Sequence, residues 1–471
     1  MINSSYTDTI VAPATIPGTG AISIVRVSGP ESLRIVDVVV KLKEGTLSAA
    51  EGYTIHYGVI PDIDNVLVSV FRAPHSYTGE DSVEISTHAS SYIVQEVLRL
   101  LLAAGARLAE PGEFTRRAFL NGKMDLAQAE AVADVIASST SAAHRVAMHQ
   151  LKGSYSRDLA GLRSELLEMA SLLELELDFS EEDVEFAGRE QLLALLDKTK
   201  MHVDTLAASF HQGNLIKNGV PVAIVGPANA GKSTLLNALA GEDRAIVTDI
   251  PGTTRDTLEE CVTLGGVQFR FIDTAGLRES EDTVEQLGIE RSYKAISGAE
   301  IVLLVLDGTE NVDALKAQIS PVVERLDFSF QKLFILLNKA DLEAKNGVNK
   351  NVTNINTFVS RIDNKIVAIS LSAKYKEGLE ELKNALIDAE KNLISTTDAT
   401  FVTNARHFEA LENASSALAA CRTSLTCGTP SDLVAEDLRL ALREINAILG
   451  TDLLDPDTIL HAIFSKHCVG K

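Results

Sequence analysis

The sequence predicts a multidomain fold: an N-terminal α+β domain, an α-helical domain, and an α/β domain inserted into the helical one. Three observations predict it. Short β-like runs separated by turn residues fill the first part of the chain. From Asp125 to about Gln212, Gly and Pro become rare and apolar residues recur at helical spacing. Over 221–375, continuous apolar runs alternate with helical patterns, and helical patterns return beyond them.

The N-terminal runs are Ile22–Val27, Asn65–Phe71 and Asp81–Ser86, with a helical pattern over Ser90–Ala104. They define an α+β domain over residues 1–121. Leu162, Leu166, Leu167, Met169 and Leu173 then mark a long amphipathic helix, and Gly213 and Gly219-Val220-Pro221 punctuate the helical region. Val222–Val225, Ile301–Leu306 and Leu333–Leu337 read as strands of a parallel sheet covered on both faces. Helices follow over 379–392, 403–425 and 431–449. The simplest organisation is a domain at 216–378 inserted into a helical domain made of 122–215 plus 379–471.

Composition narrows the class. The 471 residues are 45% hydrophobic and 23% charged, so sizeable cores can form. Aromatics are 5% and Trp is absent, which favours helices over an all-β architecture. A formal net charge of −22 repels phosphate backbones at long range, so any contact with nucleic acid needs a local basic patch or a partner. Cys261, Cys421, Cys427 and Cys468 show no CxxC spacing, which argues against a zinc site or a disulfide framework. There is no basic, then apolar, leader pattern and no run of 18 apolar residues. A soluble, cytoplasmic protein without a membrane span is expected.

Gly226-Pro227-Ala228-Asn229-Ala230-Gly231-Lys232-Ser233 fits the phosphate-loop pattern GxxxxGK[ST]. It follows a strand run and precedes the helical stretch that begins at Thr234. In such a loop, successive backbone N–H groups and a helix N-terminus cradle phosphates. Lys232 is expected to reach the β- and γ-phosphates, and the Ser233 hydroxyl to ligate Mg²⁺. Asn229, Ala230, Gly231 and Thr234 complete this part of the nucleotide set.

Three more elements follow in order. Asp273-Thr274-Ala275-Gly276 comes after the run Phe269–Ile272. Asp273 is placed to hold Mg²⁺ through water, and the Gly276 N–H to sense the γ-phosphate. Asn338-Lys339-Ala340-Asp341 ends the strand 333–337. The Asp341 carboxylate can accept from both N1–H and the 2-amino group of guanine, a donor pair that adenine lacks. Ser372-Ala373-Lys374, after Ile366–Ile369, can present backbone N–H to guanine O6. The four motifs in this order predict a Ras-like P-loop GTPase domain. Between them, Thr248-Asp249-Ile250-Pro251-Gly252-Thr253-Thr254 occupies the place of a switch loop, and Thr254 is the expected second Mg²⁺ ligand.

Ras-like enzymes orient the attacking water with a Gln just after the DxxG motif. Leu277 stands there, and it cannot orient water. Arg255, Arg278 or a metal ion could supply positive charge, and Glu279, Glu281, Asp282 or Glu285 a carboxylate; spacing does not choose among them.

These G-domain motifs resemble the TrmE-Era-Era-like group of translation-related GTPases. Further motifs resemble one family within it, the MnmE (TrmE) tRNA modification GTPases: Asp8–Ala12, Pro17–Gly20, Tyr77–Asp81, Pro111–Phe114, Arg117–Glu130 and the ending Cys468-Val469-Gly470-Lys471. The resemblance spans essentially the whole chain. It implies a tetrahydrofolate-binding N-terminal domain that also forms a homodimer, with transient contact between G domains. It implies work with the FAD-containing protein MnmG (GidA) at C5 of the wobble uridine, position 34, of certain tRNAs. The product is a carboxymethylaminomethyl- or aminomethyl-type group, with 5-formyl- or methylene-tetrahydrofolate supplying one carbon and FAD carried by the partner only.

By the same resemblance, Asn229, Thr248, Ile250 and Thr253 hold K⁺, and Glu285 is the catalytic carboxylate beside Lys232. Such a cation offers charge where Ras-like enzymes recruit an arginine, an effect worth about 10³–10⁵ in rate. Arg26, Glu84, Lys123 and Lys471 are implied folate contacts, and Cys468 is a candidate functional thiol. Pro227 directly after Gly226 and the run Leu277-Arg278-Glu279-Ser280 depart from the family pattern without removing a needed group. A regulatory RNA- or ribosome-binding GTPase is the alternative. The acidic helices and the terminal Cys-Val-Gly-Lys favour the modification reading over a basic-tailed assembly factor.

Overall fold

The computed structural model describes residues 8–178, 189–241, 260–272, 294–343, 350–363, 366–391, 400–451, 463–464 and 470. The chain forms two compact units. The first comprises Met1–Ile136, Ala147–Asp204 and Glu409–Lys471; the second comprises Ala137–Val146 and Thr205–Phe408.

The first unit opens with a mixed sheet. Its strands are β1 (Ile10–Pro13), β2 (Gly20–Ser28), β3 (Lys41–Leu42), β4 (Thr54–Ile60), β5 (Asp64–Phe71), β6 (Ser82–Ala89) and β7 (Arg107–Leu108). They lie in the order β3-β4-β5-β6-β2-β1-β7, all antiparallel except the β1–β7 pair. The predicted runs at 22–27, 65–71 and 81–86 thus become β2, β5 and β6. Alternation decides the buried face. Val66, Val68 and Val70 of β5 join Val25, Val27, Val83 and Ile85 in one core, closed by Ile35 and Val36 of the helix Ser32–Val39 and by Val97 and Leu101 of the helix Ser91–Ala103. The opposite face leaves Ile55, Tyr57, Val59 and Leu67 exposed, with Tyr57 directly across from Leu67.

The same unit contains long helices. Ser154–Asp178 packs along Ser431–Leu449. Leu162, Leu166, Met169 and Leu173 are buried, as their spacing predicts, whereas Leu167 is 37% exposed. Leu167 stands one step from Leu166, and 100° of helical rotation carries it off the buried stripe. Arg163 Nε donates to Asn446 Oδ1 at 2.8 Å across this pair.

The second unit holds a six-stranded sheet: β8 (Val220–Val225), β9 (Glu260–Leu264), β10 (Val267–Ile272), β11 (Ile301–Asp307), β12 (Lys332–Asn338) and β13 (Val367–Ser370). The order is β13-β12-β11-β8-β10-β9, parallel except for the β9–β10 pair. Successive residues of the apolar runs feed two cores. Val222, Ile224, Leu303, Val305 and Leu336 face Leu235, Leu236, Leu382 and Leu386 of the helices Lys232–Ala240 and Leu379–Ala389. Ala223, Val225, Leu304, Leu306 and Leu337 face Leu315, Ile319, Ile355 and Val359 of the helices Val312–Val323 and Lys350–Val359. This double coverage is why the strands read as continuous apolar runs rather than alternating ones. Ala142 and Ala143 join the first of these cores, which ties residues 137–146 to this unit.

Candidate functional site

The carboxyl ends of β8, β11, β12 and β13 meet at one edge of the second sheet, where open α/β sheets bind ligands. β8 runs into Gly226, whose φ is +142° and whose Cα lies so near β11 that a Cβ would meet the Val305 carbonyl oxygen at 2.1 Å. The loop turns through Asn229 at φ +59°, and Gly231 at φ +96° caps the helix Lys232–Ala240. Ser233 and Thr234 are exposed on the first turn of that helix. Lys232 Nζ donates to the carbonyls of Gly226 at 2.9 Å and Pro227 at 2.8 Å, which holds the ammonium over its own loop. Burial pushes its pKa below the ordinary lysine value.

The Asn338–Asp341 and Ser372–Lys374 motifs converge on this loop. The buried Asn338 amide Nδ2 donates to the Ala230 carbonyl at 2.8 Å, and its Oδ1 accepts from the Ala373 N–H at 3.0 Å. Asn338 therefore bridges the phosphate loop and the Ser372–Lys374 loop, a role that the sequence does not reveal. Ser372 Oγ donates to Asp341 Oδ1 at 2.6 Å and so orients that carboxylate. The turn is closed by reciprocal backbone bonds between Ser372 and Glu377. Lys339, at φ +67°, reaches back to Asp307 Oδ2 at 2.7 Å. Burial alone would raise the Asp307 carboxyl, but the hydrogen bonds from Lys339 and Thr309 outweigh it and hold it below its ordinary value. Asp307 was missed in the sequence; its signal was a carboxylate ending the apolar run 301–306. Lys374 is exposed, its ammonium 5.2 Å from the Tyr375 ring centroid.

The described residues thus bring together Asn229, Ala230, Gly231, Lys232, Ser233, Thr234, Asn338, Lys339, Asp341, Ser372, Ala373 and Lys374. Thr248 to Thr254, Asp273 to Gly276, and Glu285 lie outside the described residues. Among the described residues, no cluster of three or more His, Cys, Asp or Glu could hold a metal ion, and no helix is long and apolar enough to cross a membrane. A magnesium ion on a phosphate loop needs no such cluster, because the phosphates and one hydroxyl carry much of its shell. Ser233 fits that demand.

A second constellation lies in the N-terminal sheet. The β2–β6 register sets Arg26 opposite Glu84. Arg26 Nε donates to Glu84 Oε1 at 2.9 Å, and Nη1 donates to the Gly470 carbonyl at 3.3 Å. The guanidinium lies 5.4 Å from the Tyr77 ring centroid and 5.6 Å from that of Phe114. Lys123 Nζ donates to the Pro74 carbonyl at 2.8 Å. Cys468 and Lys471 lie outside the described residues. The Cys421 thiol is buried, and burial with nearby Asp437 pushes its pKa up to about 12, so it is inert.

Beneath this constellation is a fully buried guanidinium, Arg117. It donates to Asp8 Oδ1 at 2.8 Å, Glu113 Oε1 at 3.0 Å and Glu80 Oε1 at 3.2 Å. Arg107 adds bonds to Glu113 and Asp8. Burial alone would raise the Asp8 and Glu113 carboxyls, but these arginines reverse the sign and hold both below their ordinary values. The helix Glu113–Leu120 that carries Arg117 also carries Phe114, and its Thr115 hydroxyl pairs with Tyr77 at 2.8 Å. The ion cluster thereby fixes both rings that flank Arg26. Asp8, Glu80, Glu113 and Arg117 all belong to the motifs that carried the family resemblance.

Comparisons with known proteins match nearly the whole chain. The family model for the MnmE helical domain matches residues 126–468, and that for the GTP-binding protein TrmE N-terminus matches residues 9–123. The chain is 47% identical to a tRNA modification GTPase MnmE of Bacteroides fragilis, over 98% of this chain and 99% of that one. It is 46% identical to the tRNA modification GTPase MnmE of Flavobacterium johnsoniae over the full length of both. Among solved structures, the G domain of the T. maritima FeoB iron transporter is 25% identical, covering 36% of this chain and 97% of that one, with a TM-score of 0.26.

Proposed function

The chain belongs to the MnmE (TrmE) family of tRNA modification GTPases, and from that premise we propose that it is the GTP-hydrolysing component of a system that modifies C5 of the wobble uridine in tRNA. The observation that carries the reading is the end-to-end likeness to tRNA modification GTPases, at 47% identity over 98% of the chain. In this reading the phosphate loop and the Asn338–Asp341 and Ser372–Lys374 motifs form a guanine-nucleotide site in a G domain spanning 216–378. Residues 122–215 and 379–471 supply the helical domain, except that 137–146, 205–215 and 379–408 lie in the same compact unit as the G-domain sheet. Asp341 selects guanine, and its Ser372 partner keeps the carboxylate aimed.

Lys232 neutralises the β- and γ-phosphate oxygens. Ser233 and Thr254 would hold Mg²⁺, and Asn229, Thr248, Ile250 and Thr253 would hold K⁺; both ions would supply positive charge where negative charge develops in the transition state. Glu285 orients the attacking water in place of the absent glutamine, since Leu277 cannot.

The N-terminal domain, residues 1–121, would take a tetrahydrofolate one-carbon donor. Arg26, Glu84, Lys123 and Lys471 would contact it, and Cys468 is a candidate functional thiol. Arg26 is already held by a carboxylate and two aromatic rings, an arrangement suited to a flat, anionic ligand. The domain would also form the homodimer, and the exposed Ile55, Tyr57, Val59 and Leu67 supply apolar surface for a second copy. The redox step falls to the FAD of an MnmG-type partner, and the site of action is the cytoplasm.

The test is mass analysis of tRNA nucleosides from cells lacking this protein. Loss of the C5-substituted wobble uridine is expected, together with its return when the gene is restored. Unchanged nucleosides would leave a regulatory GTPase without a modification role.

A further inference from the structure

At the opposite end of the second sheet from the nucleotide loops, four ionisable side chains gather. Glu300 immediately precedes β11, and Lys332 is the first residue of β12. The Lys332 N–H donates to the Glu300 carbonyl at 2.8 Å, and the Glu300 N–H to the Pro221 carbonyl at 2.9 Å, so this corner is part of the sheet itself. Lys332 Nζ donates to Glu390 Oε1 at 2.5 Å and to the Ala389 carbonyl at 2.6 Å. His211, on the helix Phe210–Asn218 that leads into β8, sets Nε2 3.6 Å from Glu300 Oε1. Both carboxylates are largely buried, with side-chain exposures of 10% for Glu300 and 7% for Glu390.

The cluster joins the incoming helix, the starts of two central strands and the end of the helix Leu379–Ala389. We propose that Glu300, Glu390, Lys332 and His211 form a proton-linked latch, which holds the outgoing helix Leu379–Ala389 to the strands carrying the nucleotide loops and loosens when its shared proton leaves. Charge balance supplies the reason. Two ionised carboxylates against one ammonium leave an excess negative charge in a largely buried place when His211 is neutral, and burial penalises that charge. One proton on Glu300 removes the excess. Burial first, and then the neighbouring Glu390 charge, push the Glu300 carboxyl up, against the opposing pull of His211 and Lys332.

A carboxyl raised in the folded state stabilises below its ordinary value and loses that contribution as pH rises through the folded value. Loosening is therefore expected above pH 4.5, the ordinary glutamate value. Each latch strand ends at a residue of the nucleotide edge. β11 runs from Ile301 to Asp307, and β12 from Lys332 to Asn338. The latch thus grips the sheet that presents the nucleotide motifs, at the point where the chain leaves it.

Hydrogen–deuterium exchange on the full-length protein between about pH 5 and 8.5 tests this, with rates corrected for intrinsic base catalysis and the helix Ser91–Ala103 as internal reference. Protection of amides 379–389 is expected to fall as pH rises, by up to about tenfold per pH unit across the titration. Glu300→Gln keeps the shape and removes the titration, so its protection should be flat. Glu390→Gln removes the repelling charge and should shrink the slope, and it carries the test if Glu300→Gln fails to fold. A wild-type protein with no slope, a slope that survives in Glu300→Gln, or an undiminished slope in Glu390→Gln overturns the latch.

Discussion

The Asn338 amide joins the Ala230 carbonyl to the Ala373 N–H, so one buried side chain ties the phosphate loop to the Ser372–Lys374 loop. Asn338→Ala leaves two backbone groups without this partner, and each costs about 1–3 kcal/mol when buried and unsatisfied. The variant is expected to weaken GDP and GTP binding together and to lower the unfolding midpoint, read by fluorescent-nucleotide titration and calorimetry. Wild-type affinity for both nucleotides would show that the bridge is dispensable.

Asp341→Asn replaces an acceptor-only carboxylate with an amide that offers donors to the guanine donors. Guanine-nucleotide affinity should fall by more than about tenfold, and the preference should move toward xanthine nucleotides, whose C2 carbonyl accepts. Competition binding with GTP, XTP and ATP measures this. Unchanged GTP affinity would count against the contact.

Replacing Na⁺ with K⁺ should speed GTP hydrolysis by at least about tenfold if the proposed cation at Asn229 acts where Ras-like enzymes recruit an arginine. Asn229→Ala should abolish the difference between the salts. Equal turnover of the wild type in both salts would sink the assignment.

Glu285→Ala is expected to leave nucleotide binding intact and to cut kcat by about 10²–10⁴, the usual contribution of a positioned acid–base group. Single-turnover hydrolysis reads it directly, and a normal rate would give Glu285 the wrong role.

Arg117→Met strips the shared partner from Asp8, Glu80 and Glu113. Removing one member of a buried ion cluster costs about 3–5 kcal/mol. The sign of the pH dependence follows from the lowered Asp8 and Glu113 carboxyls. Their contribution is present above their ordinary values, 3.8 and 4.5, and is lost as pH falls through the folded ones. Acid titration of the folded N-terminal domain should therefore show Arg117→Met unfolding at higher pH than wild type.

The sheets were legible where burial is two-sided. The runs 301–306 and 333–337 became β11 and β12 because both faces carry helices, and the helix read at 431–449 is Ser431–Leu449. β4 gave no such signal. Its Ile55, Tyr57 and Val59 face outward, so its apolar residues do not mark a core. The phosphate-loop, Asn338–Asp341 and Ser372–Lys374 motifs were legible because a phosphate and a guanine base would demand fixed groups at short spacing, and the structure brings these three together. The bridge at Asn338 spans 108 residues and the Arg117–Asp8 pair 109, and no local pattern encodes either. Likewise Glu300, Lys332 and Glu390 look like ordinary surface charges until topology buries them together.

The Arg26–Gly470 hydrogen bond joins residues 444 apart. Gly470 sits at φ +101° with no room for a side chain, since a Cβ would meet the Pro13 carbonyl oxygen at 2.1 Å. The order of synthesis gives this closure a timing. The N-terminal sheet can pair its strands early, but the Arg26 corner stays open while the intervening chain is made, roughly 20–90 s at 5–20 residues per second. A nascent chain therefore carries a folded but incomplete first site, and truncation anywhere downstream leaves it unfinished.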